Sequence, residues 1–378
     1  MTDLPETNLT MLTLAKPEGE LEVYFERRPM PEPKPHEVLV KVLTTPINPS
    51  DLGLLFGGAD MSSARAGTRN DLPMITADIP PPGMRAMASR IGDALPIGNE
   101  GCGVVVKAGS SPEAQALMGK TVALLGGEMY AEYRCLPIQM TMPLPDGTDP
   151  VDGASCFVNP LTSLAFTETM RMEGHSAIVH TAAASNLGQM LVKICAKDNI
   201  PLVNIVRSAA QVELLKGIGA THIVNSSDDD FVDQLVAAIT ETGATIGFDA
   251  IGGGKLAGQI LAAMEAAAVK RMTSYSRYGS DTFKQVYIYG ALDLGPTLLN
   301  RSFGFSWSLS GFLLTPFLQK AGMETAMRMR QRVVDELTTT FKSHYSHQIS
   351  LADALNLDVA NAYNAKRTGE KYLIRPHG

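Results

Sequence analysis

The pattern of apolar and polar positions changes near Pro150. Before it, apolar runs are short and broken by proline and glycine. Residues 37–46, EVLVKVLTTP, place Val38, Val40 and Val42 at alternate positions, the period of a half-buried strand, and Pro46 stops the run. GCGVVVKAG and KTVALLGG read as further strands. Strands with little helix between them predict a β-rich first domain over 1–150.

After Pro150 strands alternate with helices. SAIVHTAAASNLGQMLVKICAKDNIPLVNIVR reads as strand, tight loop, helix, strand. ATHIVN, the amphipathic FVDQLVAAITETG, the strand ATIGFDAIGGG, the helix AGQILAAMEAAAVKR and the strand KQVYIYGAL follow in turn. That alternation predicts a doubly wound parallel sheet of the Rossmann type, an α/β domain over 151–319. The tail, 320–378, begins as a helix and ends in EKYLIRP, a lone apolar strand whose expected host is the first domain. Residues 57–96, rich in small residues, proline and methionine, read as a surface insertion or a lid.

Composition narrows the partners. A net charge of -7 supplies no basic excess for nucleic acid or an anionic membrane. No apolar run reaches the roughly 18 residues of a membrane span. Cys102, Cys135, Cys156 and Cys195 form no C-x-x-C pair and the N-terminal residues are acidic, so the expectation is a cytoplasmic protein in a reducing compartment.

The loop TAAASNLG is the first candidate site. The G-x-G-x-x-G spacing of a dinucleotide loop falls on Ala183, Ser185 and Gly188, with Asn186 and Leu187 between the last two. Small residues there let phosphates approach the backbone and the next helix N-terminus. The following strand ends in Arg207-Ser208, where an NAD site wants a carboxylate and an NADP site a cation. The reading is NADPH, its ribose phosphate paired with Arg207 and bonded by Ser208.

Seven segments in order resemble the medium-chain dehydrogenase/reductase superfamily: INPSD, GNEGCGVVVKAG, YAEYRCLP, VNPLTSLAF, GFDAIGG, LSGFLLT and GEKYLIRP. The resemblance implies a GroES-like β domain built from both chain ends, a Rossmann domain, and an active site in the cleft. It is nearest to the zinc-free quinone oxidoreductases and enoyl-thioester reductases. Zinc relatives place cysteine and histidine where this chain has Asn48 and Asn99, and Glu100 alone could not hold a catalytic zinc, so no metal is expected. His344 and His347 could share a helix face, but no third ligand is near.

The resemblance implies an enzyme that delivers a hydride to a quinone or activated enone. An enoyl-thioester reductase is the alternative, and a non-catalytic NADPH-binding protein a second one. It puts Asn48 near the nicotinamide or substrate, Asp51 in its turn, and Thr162, Gly252, Gly253, Gly290 and Lys371 near the cofactor. The family's tyrosine after the aspartate turn is missing, since LGLLFGGAD offers only Phe56, and Ser226 stands where quinone reductases often carry a tyrosine. Tyr130 or water is the expected proton donor. Family members pair their sheets edge to edge, so the apolar stretch 303–318 is expected to make a homodimer.

Overall fold

The computed structural model describes residues 4–378. The chain forms two compact units, one of residues up to Val158 together with Val333–Gly378, the other Asn159–Arg332. Against the sequence divisions at 150 and 319, these lie further along the chain. Residues 150–158 stay with the first unit because Thr44 donates to the Pro150 carbonyl at 2.6 Å and Glu100 accepts from the Phe157 and Val158 amides. The helix Leu314–Asp335 stays with the second through Arg332, because Arg328 forks onto Glu168 and Arg332 onto Asp198.

The first unit contains two sheets. One has seven strands, with Glu37–Pro46 between Glu100–Ala108 and the terminal strand Tyr372–Arg375. Val38, Val40 and Val42 point inward against Val105, Val122 and Leu124. The terminal strand pairs antiparallel with Glu37–Pro46 and parallel with His347–Ser350. His347 therefore lies in a strand, its ring against Tyr372, rather than on a helix with His344.

The second sheet, of five strands, takes up the segment read as a surface insertion. Asp60–Arg69 and Leu72–Asp78 form a hairpin laid on Glu20–Pro29, and Ala94–Pro96 returns to Thr7–Ala15. Asn70 and Asp71 both take left-handed backbone (φ 53 and 61), the pair a tight hairpin turn demands. Met61, Leu72 and Met84 pack on the core of the unit, so this segment extends the sheet.

The second unit is a six-stranded parallel sheet. Its order is His222–Asn225, Leu202–Val206, Ile178–His180, Ile246–Asp249, Lys284–Ile288, Trp307–Gly311, that is 3-2-1-4-5-6. The helix Asn186–Asp198 buries Leu187, Met190, Leu191, Ile194 and Cys195, the i, i+3, i+4 stripe of a sheet-packed helix. Trp307–Gly311, within the apolar stretch 303–318, is the sixth strand and an outer edge of the sheet. Among the described residues no helix is long and apolar enough to cross a membrane.

Candidate active site

In the first unit the chain leaves Glu37–Pro46 and turns into the short helix Pro49–Leu55 at Asn48. Asp51 holds that turn. One carboxylate oxygen accepts from the Asn48 amide and the other from the Asn99 amide, both at 2.8 Å. Burial pushes its carboxyl up to about 7, against the pull of those two amides.

Glu100 lies behind Asn48, with no exposed surface. One of its oxygens accepts from Asn48 Nδ2 and from Ser155 Oγ, the other from the Phe157 and Val158 amides, each at 2.9 Å. Four donors satisfy the carboxylate, and the Asn48 amide is aimed by it. Ser155 in turn accepts from Lys371 Nζ at 3.3 Å, so Lys371, Ser155, Glu100 and Asn48 form one chain of contacts. Lys371 is half-buried, and its ammonium sits 5.3 Å from the Tyr345 ring centre. Burial pulls it down to about 8, against the attraction of Glu100 and Asp51.

Tyr130 is 1% exposed, and its hydroxyl donates to the Pro46 carbonyl at 3.3 Å. Burial and then Asp51 hold this phenol well above the usual range. Phe56 packs in the core, stacked on Tyr363.

In the second unit the strand Ile178–His180 delivers the chain to the loop of Ala183, Ser185 and Gly188. Ser185 caps the helix by accepting from the Gly188 amide at 3.1 Å, leaving its own hydroxyl proton to donate elsewhere. A side chain at Gly188 would lie 2.2 Å from the Ala183 carbonyl oxygen, so only glycine allows the helix this close to its loop. Asn186 and Leu187 open the first turn.

At the tip of the next strand Arg207 is exposed, and none of the described residues pairs with its guanidinium. Its amide donates to Gln211 Oε1, and Ser208 caps the following helix. Thr162 is buried on the helix Val158–Met172. The loops after strands Ile246–Asp249 and Lys284–Ile288 touch through glycines. A Cβ at Gly252 would meet the Gly290 carbonyl oxygen at 2.9 Å, and one at Gly290 the Ala250 oxygen at 2.6 Å. Gly252–Gly254 pairs with Asp293–Thr297 in a short parallel ladder, where Asp293 fills the space a Gly253 side chain would need.

Three contributors escaped the sequence reading. Glu100 was weighed only as a metal ligand. Thr181 follows one, and Asp249 ends the other, of the two strands where the sheet order reverses. Thr181 donates to Asp249 at 2.7 Å, and Asp249 accepts from the Ile251 and Gly252 amides, fixing the glycine loop. His180 is wholly buried among Phe166, Phe248 and Tyr289, its Nε2 2.8 Å from the Tyr289 hydroxyl. Burial pulls it down to about 3. An open groove of about 510 Å³ beside Tyr289 is lined by Gly290, Gly311, Phe312 and Pro316 among others. Among the described residues no three His, Cys, Asp or Glu side chains are gathered to hold a metal ion.

No family model matches the chain. It is 29% identical over 163 residues to the human synaptic vesicle membrane protein VAT-1 homolog, a match covering 42% of this chain and 41% of the relative. The chain thus spans less than half the length of that curated relative. Among solved structures, a Mesorhizobium loti protein provisionally assigned as an NADPH:quinone reductase is 26% identical, with a TM-score of 0.74 over 99% of this chain and 100% of the other. The complex of Etr1p with NADP and crotonyl-CoA shares the fold at 18% identity, with a TM-score of 0.65 over 98% and 99% of the two chains.

Proposed function

We propose that this chain, which belongs to the quinone- and enoyl-reductase-like branch of the medium-chain dehydrogenase/reductase superfamily, is an NADPH-dependent enzyme that reduces a quinone or an activated enone without a catalytic metal. The observation that carries the reading is Arg207, exposed and unpartnered among the described residues at the end of the second parallel strand.

The residues present fit such a dinucleotide. Without a side chain at Gly188, the loop of Ala183 and Ser185 lies tight against the helix that Asn186 and Leu187 begin, whose N-terminus attracts a pyrophosphate. The Ser185 hydroxyl adds a donor. Arg207 and Ser208 are placed for a ribose phosphate. Gly252, Gly253 and Gly290 present backbone without side chains, and Thr162 completes this set. The bound dinucleotide supplies the hydride. Asn48, aimed by Glu100, orients the acceptor or the nicotinamide carboxamide through its own amide. The outer edge of Trp307–Gly311, with Phe305 82% exposed just before it, is the surface on which we expect a second copy to pair. A monomeric mass in solution would remove the dimer.

A cofactor titration tests the reading. Wild-type protein should bind NADPH more tightly than NADH and oxidise it with quinones or enones. Arg207→Asp should lose about ten- to a hundredfold of that preference, since a charge-assisted bond contributes about 1.5–3 kcal/mol. Equal affinity for the two cofactors in the wild type refutes the phosphate site. Acyl thioesters in the same panel identify the enoyl-thioester alternative, by turnover well above that with quinones.

A further inference from the structure

Reduction of an enone needs a proton after the hydride, and the segment after Asp51, where the resemblance leads one to expect a tyrosine, offers only Phe56, buried and without a hydroxyl. Resting on the function proposed above, we infer that Lys371 is the catalytic acid, its ammonium giving the proton to the α-carbon of the hydride-reduced acceptor.

Geometry selects it from the groups around Asn48. The Asn48 side chain is a neutral amide with no proton to release near neutral pH. Both Asp51 oxygens are held by backbone amides. The Tyr130 hydroxyl is shared between the Pro46 carbonyl and Asp51 inside the core, and burial holds its phenol well above the usual range. Ser155 donates to Glu100, and Cys156 is a buried thiol held well above its usual range by burial. Lys371 differs from all of these. Of its three N–H bonds, the described residues accept one, at Ser155, and no carboxylate among them lies within ion-pair distance. The Tyr345 ring face steadies the charge from one side. The contacts through Ser155 and Glu100 tie Nζ to the same network that aims Asn48.

The step balances. Hydride from the dinucleotide forms a C–H bond at the β-carbon, and the C=C pair moves through the α-carbon to the carbonyl oxygen, giving an enolate. The enolate's pair then forms a C–H bond at the α-carbon with a Lys371 proton, the N–H pair stays on nitrogen, and water later reprotonates the amine. The oxidised dinucleotide is the other product.

The groups facing Nζ are Glu100 and Asp51, both favouring the charged form, and Ser155 and Tyr345, which carry no charge near neutrality. Asp152 and Cys156 act on the Tyr345 hydroxyl. Burial outweighs the two carboxylates, so Nζ changes charge near pH 8, a range where an acid both holds its proton and releases it readily.

The test uses the full chain with NADPH and an α,β-unsaturated ketone. Lys371→Met and Lys371→Arg should each lower kcat at saturating NADPH about a hundredfold, the low end for general acids. Wild-type kcat should fall above about pH 8, and that limb should vanish in both variants. In the protein without cofactor, competitive acetylation read by mass spectrometry should give Lys371 a midpoint near 8, independent of turnover and of any folding failure in the variants. An arginine variant with wild-type rate, or an ordinary lysine midpoint, overturns the assignment while leaving the proposed function standing. A wild type that binds NADPH but reduces no acceptor overturns both.

Discussion

In the first unit Glu100 gathers four donors around one buried carboxylate, whereas in the second the loop from Ala183 to Gly188 works by leaving side chains out. The first device fixes the direction of a functional amide. The second clears room and exposes backbone donors, and leaves charge recognition to Arg207 at the solvent boundary. Electrostatic pre-organisation and steric permission are thus carried by different units, and they should fail differently.

The largest effect is expected at Glu100. Glu100→Ala leaves the Asn48 amide, the Ser155 hydroxyl and two backbone amides without their acceptor, which should cost about 5 kcal/mol of stability by the usual strength of bonds to charged groups. Urea unfolding measures it, and a loss below about 1 kcal/mol would mean that water or another acceptor takes over. Gly188→Ala should come next. Its new methyl would lie 2.2 Å from a backbone oxygen, so the helix must move, at a cost of about 3 kcal/mol. NADPH affinity should fall with it. Unchanged affinity would detach the loop from cofactor binding and end the contrast between the units.

The smallest effect is a pH dependence of the second unit. His180 stays neutral in the folded protein down to about pH 3, whereas in the unfolded chain it gains a proton near pH 6.5. Its depressed folded value gives stability that is present above pH 6.5 and lost as pH falls toward 3. Between pH 7 and pH 5 the loss should be about 2 kcal/mol from this residue. Wild type and His180→Leu compared by urea midpoints at both values isolate it. An equal drop in the two proteins would show that His180 carries a partner when protonated.

The second unit was the more legible from sequence, for a physical reason. Parallel strands and their helices follow local periodicity, and a loop defined by small residues shows itself as small residues. The stripe from Leu187 to Cys195 and the cap at Ser185 are both visible in eleven letters of sequence. Glu100 is read differently by chain and by fold. Along the chain it is one acid beside Asn99. Its role comes from Asn48, Ser155 and Phe157, which are 52, 55 and 57 residues away. The resemblance expects Lys371 near the cofactor, and its ammonium donates to Ser155, 216 residues earlier, a contact no local pattern announces. The hairpin 60–78 was hidden because its outer strand is polar along most of its length, which reads as loop. The Asn70-Asp71 pair was the available signal.

The strand Tyr372–Arg375 lies inside the seven-stranded sheet rather than at its margin. Ribosomal synthesis runs from the other end, so the second unit can close while the first still waits for its last member. Until residue 375 has left the exit tunnel, the Thr45–Pro46 end of the strand Glu37–Pro46 lacks its neighbour on the side where Tyr133–Pro137 pairs the first half, and a nascent chain displays that short edge to chaperones or to other nascent chains. Stop codons between residues 369 and 375 would therefore be read out first as aggregation, before any loss of chemistry could be measured.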